Sequence, residues 1–523
     1  MKPLRKVNDI YLSGSLLLVG LLLRLPSLRL GLWRDEGSTY FDALPTDLSE
    51  VIKTVTLCEL NPPGFYLLMH QWMQWFGAGE VVFKLPALIF ALLTIAAVYI
   101  LGRVVGSPRI GFVAAALTTI APEAIYYSQE ARPYSLTALL SCLVVLLYCK
   151  ALTSKHQKWY LFGFVLCASL LLYVQYTGLL LVGSLAVITP YLLWRRKGYV
   201  KIIPFALSFA AVFLLFTPWL PVFLTHLHTG SPWHEKIPLW MVPKRFIVNL
   251  IYFLPVWKHP IHLLFFVVLA GWLLFQTAKF LRLWRDTPMA ILVTIMGLGA
   301  ILVAALSYSG RYVFFLAPIA WILYSSCVIA LWRYFDQIWK QYLYRFSLWG
   351  TVLLMSACLW LVYPNLSYAL SVGNVAKSGL RSLAADAIRN PSQQIFYVLA
   401  PDHLAPAFGY YESQDGVPFY GFARWDRPEL FRPQGYADIW QDPALLTMTM
   451  QRIQDKAKQG YSKLGFIRES PPEYANEYPY QPHKKTDQLL SRLRQTYPLV
   501  GKTDYPGKAE FVTLYLFDLR YRN

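Results

Sequence analysis

The stretch "GLWRDEGSTY", residues 31–40, comes just after an apolar run that includes "DIYLSGSLLLVGLLLRLPSL", residues 9–28. About 20 apolar residues in helical form match the thickness of a hydrocarbon core, so this run reads as a membrane span. Asp35 and Glu36 then stand side by side where the span ends. Carboxylates this close to hydrocarbon are costly and mark functional positions by default. Their role depends on which face of the membrane they meet, which follows from the charges of the remaining loops.

The 523 residues are 56% hydrophobic, 16% aromatic and only 15% charged, where an ordinary soluble chain carries roughly 25% charged residues. Apolar runs of about 20 residues recur along the chain, the pattern of a polytopic membrane protein. The net charge of +19 sits in short loops between these runs. That placement favours a role in membrane orientation over a nucleic-acid footprint. Of six cysteines, Cys142, Cys149, Cys167, Cys327 and Cys358 lie in or beside apolar runs and only Cys58 in a loop, so they read as buried small hydrophobes rather than a disulfide framework. The N-terminus has a basic start but no small-residue cleavage site, and its apolar run is too long for a signal sequence. It reads as a retained anchor span.

Eleven spans are expected, near 10–30, 80–103, 110–127, 134–152, 159–175, 177–194, 202–221, 261–281, 289–307, 312–332 and 346–364. With the N-terminus in the cytoplasm, the cytoplasmic loops are "GRVVGSPRIG", "KALTSKHQKW", "WRRKGYVK", "KFLRLWRD" and "WRYFDQIWKQYLYR", all Lys/Arg-rich and nearly free of acids. The opposite face then holds the loops 31–79 and 222–260, three tight turns, and everything after 364. Asp35 and Glu36 face outward. Within loop 31–79, "PPGFYLLMHQWMQWFG" sets Phe65, Leu68, Met69, Trp72 and Phe76 at helical spacing, which predicts an amphipathic helix in the membrane interface. Residues 1–364 thus read as a transmembrane domain. Residues 365–523 read as an extracytoplasmic α/β domain, with helices in "GLRSLAADAIRN", "HLAPAFGYY", "PALLTMTMQRIQDKAK" and "TDQLLSRLRQTY" and strands in "QIFYVLA", "YSKLGFI" and "FVTLYLFDL". No glycine-rich phosphate loop occurs there, so nothing supports nucleotide binding.

Outward turns should be poor in Arg and Lys, so exceptions carry information. "YYSQEARPYS" holds Glu130 and Arg132, and "SYSGRYVF" holds Arg311. Two guanidinium forks at headgroup depth suit a lipid phosphate; the competing reading has each Arg snorkelling to headgroups or pairing with an acid such as Glu130. In "YVQYTG", Tyr173 and Tyr176 are candidates for substrate contact or for interfacial anchoring. In "CELNPPGFY", Glu59 and Asn61 open the interfacial helix, Asn61 either as a turn residue or at the substrate. His70 is read on that helix's polar side, where it meets its surroundings or the substrate. "THLHTGSPWHE" gathers His226, His228, His234 and Glu235 without any standard zinc spacing, so no clear motif supports a divalent metal.

The stretches "LWRDEGSTY", "NPPGFYLLMHQWMQWFGAGEVVFKLPALIFALLT", "APEAIYYSQEARPYSLTALL" and "SGRYVFFLAPIA" together carry a resemblance. The chain resembles the polyprenol-phosphate-dependent glycosyltransferases of the C-type membrane superfold, especially the bacterial relatives of protein O-mannosyltransferases and the lipid A aminoarabinose transferase. The resemblance implies an integral protein of the plasma (inner) membrane that takes a sugar from a polyprenyl-phosphate carrier at the outer face. It implies transfer to a lipid, glycan or protein acceptor with inversion at the anomeric centre. On the same footing, Asp35 is the catalytic base, and Glu36 positions the acceptor or pairs with Arg34 or Arg132. The donor phosphate falls to Arg132, with Arg311 as second candidate. Many relatives have a histidine where this chain has Gln175, so that ring's role does not carry over. Members differ in metal use, and the resemblance settles no cofactor. The rival class is a polytopic lipid-linked sugar transporter or flippase, which would show paired internal repeats and mid-span charges. Here no repeat is evident and the informative charges gather at one face.

Overall fold

The computed structural model describes residues 14–195, 202–230, 239–241, 291–292, 295–299, 310–342, 377–389, 394–412, 417–433, 435–470, 481–507 and 510–521. Its helices begin with α1 (Gly14–Arg24), α2 (Arg34–Ala43), α3 (Leu48–Cys58), α4 (Gly64–Phe76) and α5 (Glu80–Val105). There follow α6 (Pro108–Ile120), α7 (Pro122–Tyr127), α8 (Tyr134–Thr153), α9 (Gln157–Val174), α10 (Gly178–Arg195), α11 (Ile202–Phe216) and α12 (Leu220–Thr229). After them come α13 (Ala317–Tyr342), α14 (Leu380–Ile388), α15 (Ala405–Glu412), α16 (Tyr436–Gln441), α17 (Leu445–Lys458) and α18 (Gln481–Thr496). The chain forms two compact units, one of residues 1–26, 85–221 and 236–372 and the other of residues 27–84, 222–235 and 373–523.

Among the described residues, five helical stretches are long and apolar enough to cross a membrane: α5, α8, α9, the run 202–229 made by α11 and α12, and 311–330. Helices α1, α6 and α10 are shorter and apolar. The protein is a mostly helical integral membrane protein. The spans expected near 261–281 and 346–364 lie outside the described residues, and that near 289–307 is described only in fragments. In the first unit α8 is apolar all round and correspondingly buried, packed by α9, α13 and the turn Gly310–Leu316.

One expected span is corrected. The run 110–127 is not a single helix: α6 stops at Ile120, Ala121 turns extended (φ −61, ψ 126), and α7 restarts at Pro122. A residue before proline is pushed out of the α region, and Pro122 has no N–H for the carbonyl four residues back. That orphaned group, Thr118 O, accepts from Arg24 Nη2 at 3.2 Å, and Thr119 O accepts from Arg24 Nη1 at 3.0 Å. Nη1 also donates to Gly20 O at 2.9 Å. A fully buried guanidinium thus caps the broken helix.

In the second unit the C-terminal residues form a five-stranded sheet of order β2-β1-β3-β5-β4, from β1 (Ile395–Ala400), β2 (Phe419–Gly421), β3 (Lys463–Glu469), β4 (Leu499–Tyr505) and β5 (Val512–Asp518). β1 pairs in parallel with β2 and β3, whereas β5 is antiparallel to both β3 and β4. β1 is buried at every residue, as its unbroken apolar run requires of a central strand. One face of the sheet packs Phe396, Val398 and Phe517 against Ile453 of α17 and Leu489 and Leu493 of α18. The other packs Tyr397 and Leu399 against Leu380 and Leu383 of α14 and Phe408 of α15. The helices and strands read from the sequence in this region are all present. The edge strands β2 and β4 and the helix α16 were not among them. β2 is three residues long, and β4 carries the polar run "LVGKTDY", so neither shows an apolar period.

Candidate active site

The acid pair opens α2, with Trp33 as the residue before the first turn and Asp35 and Glu36 within it. Negative side chains in a first turn complement the helix dipole. Trp33 has no side-chain oxygen to cap the helix, and Glu36 reaches back instead: its Oε2 accepts from Trp33 N at 3.3 Å. The same oxygen lies 3.8 Å from Lys84 Nζ, with both side chains buried, and Lys84 also donates to Gly31 O. Glu36 is therefore turned inward, with Lys84 as a close cationic neighbour. Asp35 is placed differently, its side chain 23% exposed and 4.0 Å from Arg34 Nε. Adjacent helical residues diverge by about 100°, which puts one acid in the packing and leaves the other accessible.

Both ends of α2 are held by groups distant in sequence. At its start, Glu510 Oε1 accepts from Arg34 N at 3.3 Å and lies 3.5 Å from Arg34 Nε. Arg34 Nη1 is 3.6 Å from Glu469 Oε1 and 2.9 Å from His403 Nε2, and that ring nitrogen lies 2.7 Å from Glu469 Oε2. His483 Nε2 is 3.9 Å from the same oxygen. Burial works against a charged Glu469, but His403, Arg34 and His483 outweigh it and hold its carboxyl down at about 2. Burial dominates at Glu510 and pushes it up to about 8. Burial likewise lowers His483, to about 4, against the pull of Glu469. At the other end of α2, His70 Nδ1 donates to Ala43 O, the last carbonyl of the helix, at 3.0 Å. His70 is buried, and of its two expected roles it makes the hydrogen bond to its surroundings, tying α4 to α2.

Along its length α2 is gripped by α15. A Cβ at Gly37 would stand 2.4 Å from Ala407 N and 2.5 Å from its Cα, so only glycine allows this approach. Leu32 N donates to Tyr411 OH at 2.6 Å, and the rings of Tyr40 and Tyr410 meet edge to face with centroids 4.9 Å apart. Glu59 ends α3, buried, and accepts from Asn61 Nδ2 at 3.1 Å just before the two prolines that open α4.

In the first unit, residues 128–133 form a buried turn between α7 and α8, with Gln129, Glu130 and Arg132 all 6% exposed or less. Arg132 N donates to Glu130 O at 2.7 Å, and Ser135 Oγ donates to Tyr127 O at 3.0 Å. Tyr127 meets Tyr134 at 4.9 Å and Phe314 at 4.6 Å between centroids, so the aromatic rings join this turn to the one that carries Arg311. The Arg311 guanidinium lies 5.9 Å from the Tyr312 ring centre. The structure thereby brings the two arginine-bearing turns together. Tyr173 OH donates to Leu215 O at 2.9 Å, and Tyr176 OH accepts from Trp219 Nε1 at 2.8 Å. Among the described residues no group of three or more His, Cys, Asp or Glu side chains is placed to hold a metal ion. His234 and Glu235 lie outside them.

Residues 61–221 match the family model of dolichyl-phosphate-mannose-protein mannosyltransferases. No curated protein sequence matches the chain. ArnT from Cupriavidus metallidurans superposes with a TM-score of 0.54 at 14% identity, covering 97% of each chain, in its structure bound to undecaprenyl phosphate. The archaeal oligosaccharyltransferase AglB from Archaeoglobus fulgidus, in complex with an inhibitory peptide and a dolichol-phosphate, superposes with a TM-score of 0.56 at 13% identity, covering 90% of this chain and 70% of AglB. The fold is that of the C-type membrane glycosyltransferases, and the chain resembles their polyprenol-phosphate-dependent members, as its sequence motifs indicated.

Proposed function

We propose that the protein is an inverting glycosyltransferase that moves a sugar from a polyprenyl-phosphate carrier to a lipid, glycan or protein acceptor at the outer face of the membrane. Asp35 takes the proton of the acceptor hydroxyl as its oxygen attacks C1 of the sugar. The new C1–O bond forms as the bond from C1 to the carrier phosphate breaks on the opposite face, and the carrier leaves as its phosphate monoester. One displacement inverts the anomeric centre. A phosphate leaving group needs cations rather than a nucleotide site, and Arg132, seconded by Arg311, supplies them.

The observation that carries this reading is the division of the acid pair, with Asp35 accessible and Glu36 committed to Lys84. The carrier class is supported by the matched family, named for dolichyl-phosphate-mannose, and by the undecaprenyl phosphate and dolichol-phosphate bound to the two structural relatives. Glu59, Asn61, Glu130, Tyr173 and Tyr176 are the further candidates for substrate contact. The orientation, with eleven spans, a cytoplasmic N-terminus and residues 365–523 outside, is supported by five basic alternate loops. A transporter would move a lipid-linked sugar intact. The deciding experiment supplies purified protein in nanodiscs with undecaprenyl phosphomannose and envelope extract as acceptor. Release of undecaprenyl phosphate with mannose on an acceptor is the expected result, and translocation of intact donor without cleavage would overturn it.

A further inference from the structure

We propose that Glu510 is a positioning residue for Asp35, which makes the C-terminal α/β region part of the catalytic machinery; the inference rests on the glycosyl-transfer reading above. The geometry is a short chain of contacts. One oxygen of Glu510 accepts from the backbone N–H of Arg34 at 3.3 Å and lies 3.5 Å from its guanidinium Nε. That same Nε lies 4.0 Å from Asp35 Oδ1. A single carboxyl group therefore holds both main chain and side chain of the residue immediately before the base.

Helix α2 needs this group. The first N–H groups of any helix lack internal partners, and Trp33 has no side-chain oxygen to offer. Glu36 satisfies Trp33 N, and Glu510 satisfies Arg34 N from 476 residues away. A carboxyl retains an acceptor oxygen whether or not it is protonated, so the cap survives the upward push that burial gives Glu510.

The anchor is itself held by main-chain hydrogen bonds. Glu510 N donates to Lys377 O at 3.0 Å, and Gly379 N donates to Glu510 O at 3.1 Å. The chain passes so tightly here that a Cβ at Gly379 would fall 2.2 Å from Tyr505 O, and one at Gly507 2.3 Å from Glu510 O. Glu469, at the end of β3, and His403, in the turn before α15, also hold the Arg34 guanidinium, at 3.6 and 2.9 Å from Nη1. Displacement of a reacting group by about 1 Å costs on the order of 10²-fold in rate, and slack in this anchor would be transmitted to the base.

The test uses the full-length protein in nanodiscs with undecaprenyl phosphomannose as donor probe, alongside Asp35→Asn. Glu510→Ala is expected to lower kcat by roughly 10- to 100-fold and to leave KM for the donor within about twofold. Glu510→Gln, whose amide oxygen still accepts from Arg34, should recover most of the loss. Amide exchange of residues 31–44 should quicken in Glu510→Ala and not in Glu510→Gln. Should Glu510→Ala fail to fold, Glu510→Asp, one methylene shorter, carries the same expectation. Wild-type kcat in Glu510→Ala beside an inactive Asp35→Asn overturns the inference and leaves the enzyme reading intact. A loss that Glu510→Gln does not rescue, or that tracks thermal stability alone, overturns it as well. If Asp35→Asn turns over donor normally, the enzyme reading fails and the inference with it.

Discussion

Lys84 Nζ lies 3.8 Å from Glu36 Oε2, and both side chains are buried. Removing one member of a buried ion pair leaves the other charge uncompensated and typically costs about 3–5 kcal/mol. Glu36→Gln keeps an oxygen for Trp33 N but removes the buried negative charge 3.8 Å from Lys84 Nζ. The expected result is a lower melting temperature and poorer yield, with any folded fraction retaining turnover. Thermal unfolding in detergent, compared with activity per folded molecule, checks it. A Glu36→Gln protein as stable as wild type but inactive would make Glu36 catalytic instead.

Stability should depend on pH through the groups around Arg34. Glu510 rises from 4.5 to about 8 in the folded chain, so the fold holds a proton that the unfolded chain releases, and stability falls as pH climbs through that window. His483 falls from 6.5 to about 4 and acts oppositely between those values. The two offset each other up to about pH 6.5, and above it Glu510 acts alone up to about pH 8. The loss there is about 2 kcal/mol, or roughly 4–8 °C in Tm. Glu469, held at about 2 against 4.5, contributes stability above pH 4.5 that disappears in acid. Melting curves from pH 4 to 9 should show a maximum at pH 5–6.5, and Glu510→Gln should abolish the decline above 6.5. An unchanged decline in that variant would place its origin elsewhere.

Arg132 lies in the turn before α8 and is only 6% exposed, and its planar fork suits phosphate oxygens. Arg132→Lys keeps the charge but loses the two-pronged grip on phosphate oxygens. We expect KM for undecaprenyl phosphomannose to rise by about tenfold with the fold intact, and Arg132→Ala to lose donor binding. Titration with fluorescent undecaprenyl phosphate measures this directly. Normal donor affinity in Arg132→Ala would remove the residue from the phosphate site.

Much of this was legible because it rests on local periodicity. Apolar runs marked the described spans, and "QIFYVLA" marked β1 because a central strand buries both faces. The break at Pro122 was legible too, yet the long run 110–127 masked it; the missing N–H of one proline outweighed continuous hydrophobicity. What surrounds the acid pair was not legible at all. Lys84, His403, Glu469 and Glu510 meet α2 across 48 to 476 residues of sequence. No spacing rule records such contacts. Gly37, in the midst of the most informative motif, was the one local hint, since a helical glycine invites a close neighbour, and α15 is that neighbour.

Asp35 is the residue on which the proposed chemistry stands. It occupies the first turn of a helix fixed at its start by Glu510, along its length by α15 and at its end by His70. Its own side chain is 23% exposed, with the Arg34 guanidinium 4.0 Å away. With its side chain partly exposed, Asp35→Asn, nearly the same shape, should leave the melting temperature close to wild type. An amide cannot accept the acceptor's proton, and loss of a general base costs about 10²–10⁴ in rate. The variant should therefore bind undecaprenyl phosphomannose normally, fold normally and transfer almost nothing. Steady-state transfer, donor affinity and Tm measured on one preparation separate these effects. If Asp35→Asn kept near-full transfer while a folded Glu36→Gln lost it, the two acids would exchange roles; if both kept it, the proton would leave the acceptor at some other site.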